Sequence, residues 1–324
     1  MRPLVSSAAI LLGALLLAAV PSIACAGDAA FSVTKQTSHT EATLLGLTFR
    51  TSQLGWAVGS GGTILKTTDG GKKWKRISSG TSVLLTNVYF RDQKTGWVIG
   101  ANATVRRTGD GGETWTAQPV DTQAPLYGIS FPSQTHGWIV GGNGTILHTE
   151  DGGSRWTEQA SKTNAALYAV QFVSEQHGVA VGAVGTVVVT NDGGTTWVVQ
   201  EPQGSVTFFD VFFSDQSTGW AVGNAGALFH TTDGGRQWID RTLPCTTQSC
   251  TKLTDLLRVR FTDPQSGWIV GERGMLYRTV DGGYTWREQG SIAGVSLFGL
   301  SFPEPSLAWA GGEKGTIVQL KIGR

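Results

Sequence analysis

Six aspartates stand in the same local sequence, Thr-x-Asp-Gly-Gly-x-x-Trp or a close variant, at Asp69, Asp110, Asp151, Asp192, Asp233 and Asp281. Carboxylates in such number could serve as general acid and base for glycoside hydrolysis, or as oxygen ligands for calcium. Their spacing argues against both. Successive intervals are 41, 41, 41, 41 and 48 residues, so each aspartate belongs to a separate copy of one repeated unit. Equivalent positions in stacked copies are spread through the molecule and do not converge on one substrate. The aspartate is expected instead to accept hydrogen bonds from N–H groups of its own turn, where two glycines tolerate a tight backbone and the Trp anchors the hairpin.

Two further markers set the size of the unit. Gly followed by Trp occurs at Trp56, Trp97, Trp138, Trp220, Trp268 and Trp309, with Val179 filling the gap, and these six with the six aspartate-linked Trp account for all 12 tryptophans. A Phe recurs at Phe49, Phe90, Phe131, Phe172, Phe213, Phe261 and Phe302, which counts seven repeats. In the unit from Leu126 to Gln159, four short apolar runs (LYGISF, GWIVG, TILHT, RWTEQ) alternate with Gly-rich or polar turns. Four strands at this period read as a propeller blade. The expected fold is all-β, a seven-bladed propeller of four-stranded antiparallel blades. The seventh unit stops after its third strand, and Phe31 to Gln36 precedes the first Phe marker at the distance of a fourth strand, with Val33 at the position of the aspartate-linked Trp. This N-terminal strand is expected to complete the last blade.

Composition agrees. Gly numbers 45 and Met 2 among 324 residues, with 15% charged, which suits many short strands joined by tight turns. The N-terminus carries Arg2, an apolar run from Ala8 to Val20 and an A-x-A site at Ala24-Cys25-Ala26, the layout of an export signal too short to span a membrane. Residues 1–26 are read as signal peptide and 27–324 as one propeller domain. A competing reading makes Cys25 a lipidated cysteine, although Ser22 stands where such signals usually have Leu. Without residues 1–26 the chain holds 24 basic and 24 acidic residues, so composition does not point to a nucleic-acid partner. Cys245 and Cys250 remain as an even pair in a disulfide-permitting compartment, and a disulfide is expected between them. They lie in the insertion, around Pro244 to Lys252, that lengthens the fifth interval.

These motifs (Phe, Gly-Trp-x-Val-Gly, Gly-Thr-Ile-Leu and the Asp box, repeated behind an export signal) resemble the photosystem II stability and assembly factor family over essentially residues 31 to 324. The resemblance implies a seven-bladed propeller that assists assembly by binding precursor proteins. It also implies a place in the thylakoid lumen of a phototroph; related chains occur in bacteria that do not photosynthesise, where export leads to the periplasm. Sialidases share Asp boxes and are the competing relatives, so an exported glycan-binding or glycoside-hydrolysing propeller is the alternative. Their early Phe-Arg-x-Pro is replaced by Phe49-Arg50-Thr51-Ser52, and four of the five tyrosines fall in repeat strands. No catalytic residue, cofactor or metal ligand set is expected, and His136 and His177 read as solvated turn residues.

The expected function is a non-catalytic scaffold for an exported or membrane-embedded protein client, acting as a monomer with no membrane span. Its binding face should be the one carrying the interblade linkers, opposite the Asp boxes. First strands line the channel with small or neutral residues except Asp210, Arg258 and Arg260. These are read either as a local ion pair between blades or, with Arg241 and Arg273, as a basic patch that grips an acidic client segment. On the third strands, Lys66, Arg107, His148, Val189, His230, Arg278 and Gln319 share one position and are expected to form a solvated edge.

Overall fold

A computed structural model describes residues 31–200, 203–243 and 254–323. It contains seven four-stranded antiparallel sheets. Six are built from consecutive strands, as in the first blade: Leu44–Phe49, Gly55–Gly59, Thr63–Thr67 and Lys75–Ile77. The seventh takes Leu297–Glu304, Leu307–Gly312 and Ile317–Ile322 from the end of the chain and its outer strand from Phe31–Gln36. That outer strand runs antiparallel to the last one, with Phe31 opposite Ile322 and Gln36 opposite Ile317. The ring is closed as expected.

The second strand of the first six blades is buried throughout, which is why it reads as a continuous apolar run between glycines. Between blades, the packing unit is an aromatic trio. Trp97 stacks on Phe131 of the next blade with centroids 4.2 Å apart, and Trp156 meets the other side of that ring edge-on at 5.8 Å. Trp56 on Phe90, Trp138 on Phe172, Trp220 on Phe261 and Trp309 on Phe49 repeat the stack at 3.5–3.9 Å.

Space for each Phe is made by the glycine that opens the second strand. A Cβ added at Gly55, Gly96, Gly137, Gly178, Gly219 or Gly267 would stand 2.3–2.7 Å from the Phe ring of its own blade. The seventh blade has Ala308 at this position, and there Phe302 is displaced, tilted 31° from Trp268 at 6.2 Å. Val33 does take the Trp position in register, opposite Leu320, but is 37% exposed and fills no core. Phe31 compensates by packing edge-on against Trp268 at 6.1 Å.

Asp boxes are architectural. In the first, Thr67 Oγ1 donates to Asp69 Oδ1 at 2.9 Å and accepts from the Gly71 N–H at 2.8 Å, while Asp69 Oδ1 accepts from the Lys73 N–H at 2.9 Å. The Thr–Asp bond recurs in the other five boxes at 2.7–2.9 Å. Both box glycines are left-handed, at φ 70–77° and 80–85°, where a side chain is strained. Gln36 ties the closing strand to this turn, donating to Gly70 O at 2.9 Å and accepting from Trp74 Nε1 at 3.2 Å.

Candidate functional site

First strands of neighbouring blades pack against one another around a central cavity of about 470 Å³. Every first strand carries a bulge after its opening residue, at Leu45, Thr86, Tyr127, Tyr168, Phe209, Leu257 and Phe298. A bulge re-aims its side chain, here near the mouth on the linker face. Tyr127 and Tyr168 meet at 5.1 Å and Tyr168 and Phe209 at 6.3 Å, making an aromatic arc over the third to fifth blades. The sequence reading missed this arc, although a repeat-aligned position after the recurrent Leu or Phe would have shown it.

Deeper in, polar groups join one blade to the next. Ser301 accepts from the Phe49 N–H at 2.9 Å, Ser130 from the Phe172 N–H at 3.0 Å, and Gln171 from the Phe213 N–H at 2.9 Å. Asp210 fills the same role in the fifth blade, accepting from the Val259 N–H at 3.0 Å and from Arg260 Nη1 at 2.5 Å. The ion pair expected between blades is therefore present, and its cation is Arg260. Arg258 turns to carbonyls instead, donating to Leu257 O at 2.7 Å. Its side chain is half-buried and borders the cavity. Burial lowers its pKa, Asp210 opposes that shift, and the like charge of Arg260 adds to it. Among the described residues that border the cavity Asp210 is the only acid, so Arg258 and Arg260 leave that lining with a positive excess.

Of the remaining predicted residues, Arg241 and Arg273 are exposed. Arg273 occupies the turn between second and third strands of the sixth blade, and Arg241 follows the fourth strand of the fifth, so both stand on the linker face. Cys245 and Cys250, the insertion around them, and the signal peptide lie outside the described residues. Among the described residues, no helix is long and apolar enough to cross a membrane.

Two expectations are corrected. The third-strand ring is not a solvated edge: six of its seven members lie across from the Gly-linked Trp of their blade, as His148 does from Trp138 and Arg278 from Trp268, while Val189 faces Val179. His148 and His230 are buried, stacked on Trp138 at 4.5 Å and on Trp220 at 5.1 Å, and Arg278 covers Trp268 at 5.0 Å. Burial lowers both imidazole pKa values. The turn histidines are half-buried rather than solvated. His177 Nδ1 lies 2.9 Å from Asn191 Oδ1, and His136 Nδ1 lies 3.3 Å from His148 Nε2. With Glu150 these last two have the donor types a metal requires.

Box carboxylates do not gather on a common point; each is spent on its own turn. Burial raises Tyr89, Tyr127 and Tyr277 above the ordinary phenol value, which disfavours the phenolate that nucleophilic attack by these three would need. Tyr89 donates to Phe131 O at 3.0 Å.

Fold and channel together define a seven-bladed Asp-box propeller with a cationic, aromatic-rimmed centre. The chain belongs to the family described as photosynthesis system II assembly factor YCF48, whose model matches residues 73–160, 155–238 and 199–255. No curated protein matches the chain by sequence. Among solved structures, YCF48 bound to D1 peptide is 22% identical with a TM-score of 0.72, covering 91% of this chain and 97% of that one. YCF48 from Cyanidioschyzon merolae is 21% identical, TM-score 0.72, covering 89% and 98%. Streptogramin B lyase shares the fold at 16% identity and TM-score 0.75, covering 90% and 98%.

Proposed function

We propose that the protein is a non-catalytic scaffold that binds a protein client, as a photosystem II assembly factor does, and that Arg241, Arg258, Arg260 and Arg273 grip an acidic client segment while Asp210 holds Arg260 in place. The observation that carries this reading is the positive excess of the channel, flanked on the linker face by two exposed arginines. Guanidinium groups bind carboxylates in charge-assisted, often bidentate pairs. Tyr168 and Phe209, beside Arg258 along the same wall, offer apolar surface to the residues between those carboxylates. Support comes from the family and from the structural relative that holds a D1 peptide. A glycoside hydrolase would need two facing carboxylates, whereas among the described residues the cavity borders on Asp210 alone, already paired. The client is an exported or membrane-embedded protein, met as a monomer in the periplasm or, in a phototroph, in the thylakoid lumen.

Two variants test this: Arg241→Glu with Arg273→Glu, both on the surface, and Arg258→Gln, which removes the channel charge without adding a buried acid. Each should weaken binding of a labelled D1 peptide roughly 10-fold or more, since hydrogen bonds to charged groups contribute about 1.5–3 kcal/mol. Far-UV circular dichroism should not change. Proteins co-purifying with the wild-type chain from its own exported and membrane fractions should be lost with the same variants. Retention of the same partners by both variants would refute the proposal.

A further inference from the structure

We propose that His136, His148 and Glu150 form a binding site for a divalent cation of the zinc class on the Asp-box face of the third blade, opposite the face assigned to the client. His136 ends the turn between the first and second strands, His148 lies on the third strand, and Glu150 immediately precedes the box Asp151. The hairpin register that sets Trp138 across from His148 therefore brings together residues twelve and fourteen apart in sequence.

Four observations point to a metal. One ligand atom from each residue lies within 4.8 Å of the others. His136 Nδ1 and His148 Nε2 are 3.3 Å apart, and two metal–nitrogen bonds of about 2.0–2.1 Å at a tetrahedral angle set their nitrogens roughly 3.3–3.4 Å apart. His136 Nε2, the nitrogen that would not face the metal, is 4.0 Å from Glu175 Oε2 of the next blade, where ligating histidines keep a carboxylate that orients the ring. His148 is itself pinned, buried and stacked on Trp138, so its Nε2 has a defined direction. Glu150 is exposed and can turn its carboxylate inward. Two imidazoles and one carboxylate favour zinc, copper or nickel over the all-oxygen environment of calcium or magnesium. A fourth position stays open to water or to a donor from another molecule.

The repeats supply an internal comparison. At the His136 position the other five Asp-box blades carry Leu54, Thr95, His177, Thr218 and Ser266; at the His148 position, Lys66, Arg107, Val189, His230 and Arg278; at the Glu150 position, Thr68, Gly109, Asn191, Thr232 and Val280. His177 and His230 show that one donor arises alone elsewhere. All three coincide only in the third blade, on a framework whose Phe, Trp, Gly and Asp positions are otherwise repeated.

The test uses tag-free full-length protein stripped with a chelator, titrated with Zn²⁺ alone by calorimetry and with Co²⁺ by visible spectroscopy. One equivalent should bind, and Co²⁺ should develop the d–d bands of a tetrahedral nitrogen and oxygen site. His136→Gln, at a half-buried turn position, and Glu150→Gln, at an exposed one, should each weaken binding roughly 10-fold or more and abolish those bands, while His177→Gln should leave them intact. Absence of stoichiometric binding by the wild type would show that the two imidazoles share only a hydrogen bond. Binding that survives both ligand substitutions, or that His177→Gln removes, would equally overturn the site.

Discussion

Gly137→Ala should destabilise the protein by about 2–4 kcal/mol, although the new methyl is the smallest available and the backbone there is not left-handed. The added Cβ would stand 2.3–2.5 Å from the Phe131 ring, well inside van der Waals contact. Accommodating an extra carbon in a packed core costs about 1–3 kcal/mol. Moving the ring also loosens its stack on Trp97 and its edge contact with Trp156, which contribute about 0.5–1.5 kcal/mol each. Against this, alanine restricts the unfolded chain more than glycine, a gain of about 0.4–1 kcal/mol. The seventh blade already shows the outcome, because Phe302 beside Ala308 has left the stacked position. Urea unfolding followed by tryptophan fluorescence measures the loss as a lower midpoint at unchanged slope. Phe131→Leu should lessen the penalty in a double-mutant cycle, since a smaller side chain makes room. A loss below about 1 kcal/mol, or an equal loss in the Phe131→Leu background, would refute the steric account of the recurrent Gly-Trp.

Other perturbations bear on closure and on the Asp boxes. Deleting residues 27–37 removes the outer strand of the seventh blade together with Gln36 and its bonds to the first Asp box, so the melting temperature should fall sharply; unchanged melting would mean the ring closes without that strand. Acid should destabilise through the boxes. The Thr114 and Thr196 hydroxyls hold Asp110 and Asp192 below the ordinary carboxylate range, the Lys73 N–H does so for Asp69, and at Asp281 the Thr285 bonds outweigh burial. Because these folded values lie below the unfolded one, their stabilisation is complete above the unfolded value near pH 4 and is lost as pH falls through the folded values. Melting temperature should begin to fall below about pH 6.5, where burial resists protonation of His148 and His230, and fall further below about pH 4; in Asp110→Asn that second decline should be shallower, and an identical slope would count against the linkage.

Much of the architecture could be read from the chain because each blade must solve one packing problem seven times, and the solution leaves Phe, Gly, Trp and Asp at fixed distances. Even the closing strand could be placed by register, since Gln36 and Gln159 stand at the same blade position and each bonds its neighbouring box. What could not be read depends on neighbours across strands. Lys66, His148 and Arg278 look like surface residues by type, yet the antiparallel pairing lays them over tryptophans. The channel arc is legible only once the repeats are aligned on the residue after the recurrent Leu or Phe, because Leu45, Thr86, Tyr127 and Phe209 at that position differ in chemistry and share a bulge rather than a residue type. That Arg260 rather than Arg258 pairs with Asp210 likewise depends on contact between blades, which residue type does not reveal.

The sheet shared by Phe31–Gln36 and Ile317–Ile322 imposes an order of events on biogenesis. Six blades are assembled from sequence neighbours and can fold in turn, but the seventh has to wait for the final stretch of polypeptide to reach its first. Until then Phe31–Gln36 has no strand to pair with and stays open to aggregation or to exchange with another chain. Loss of either strand opens the ring, so closure couples two segments that stand almost 300 residues apart in the chain.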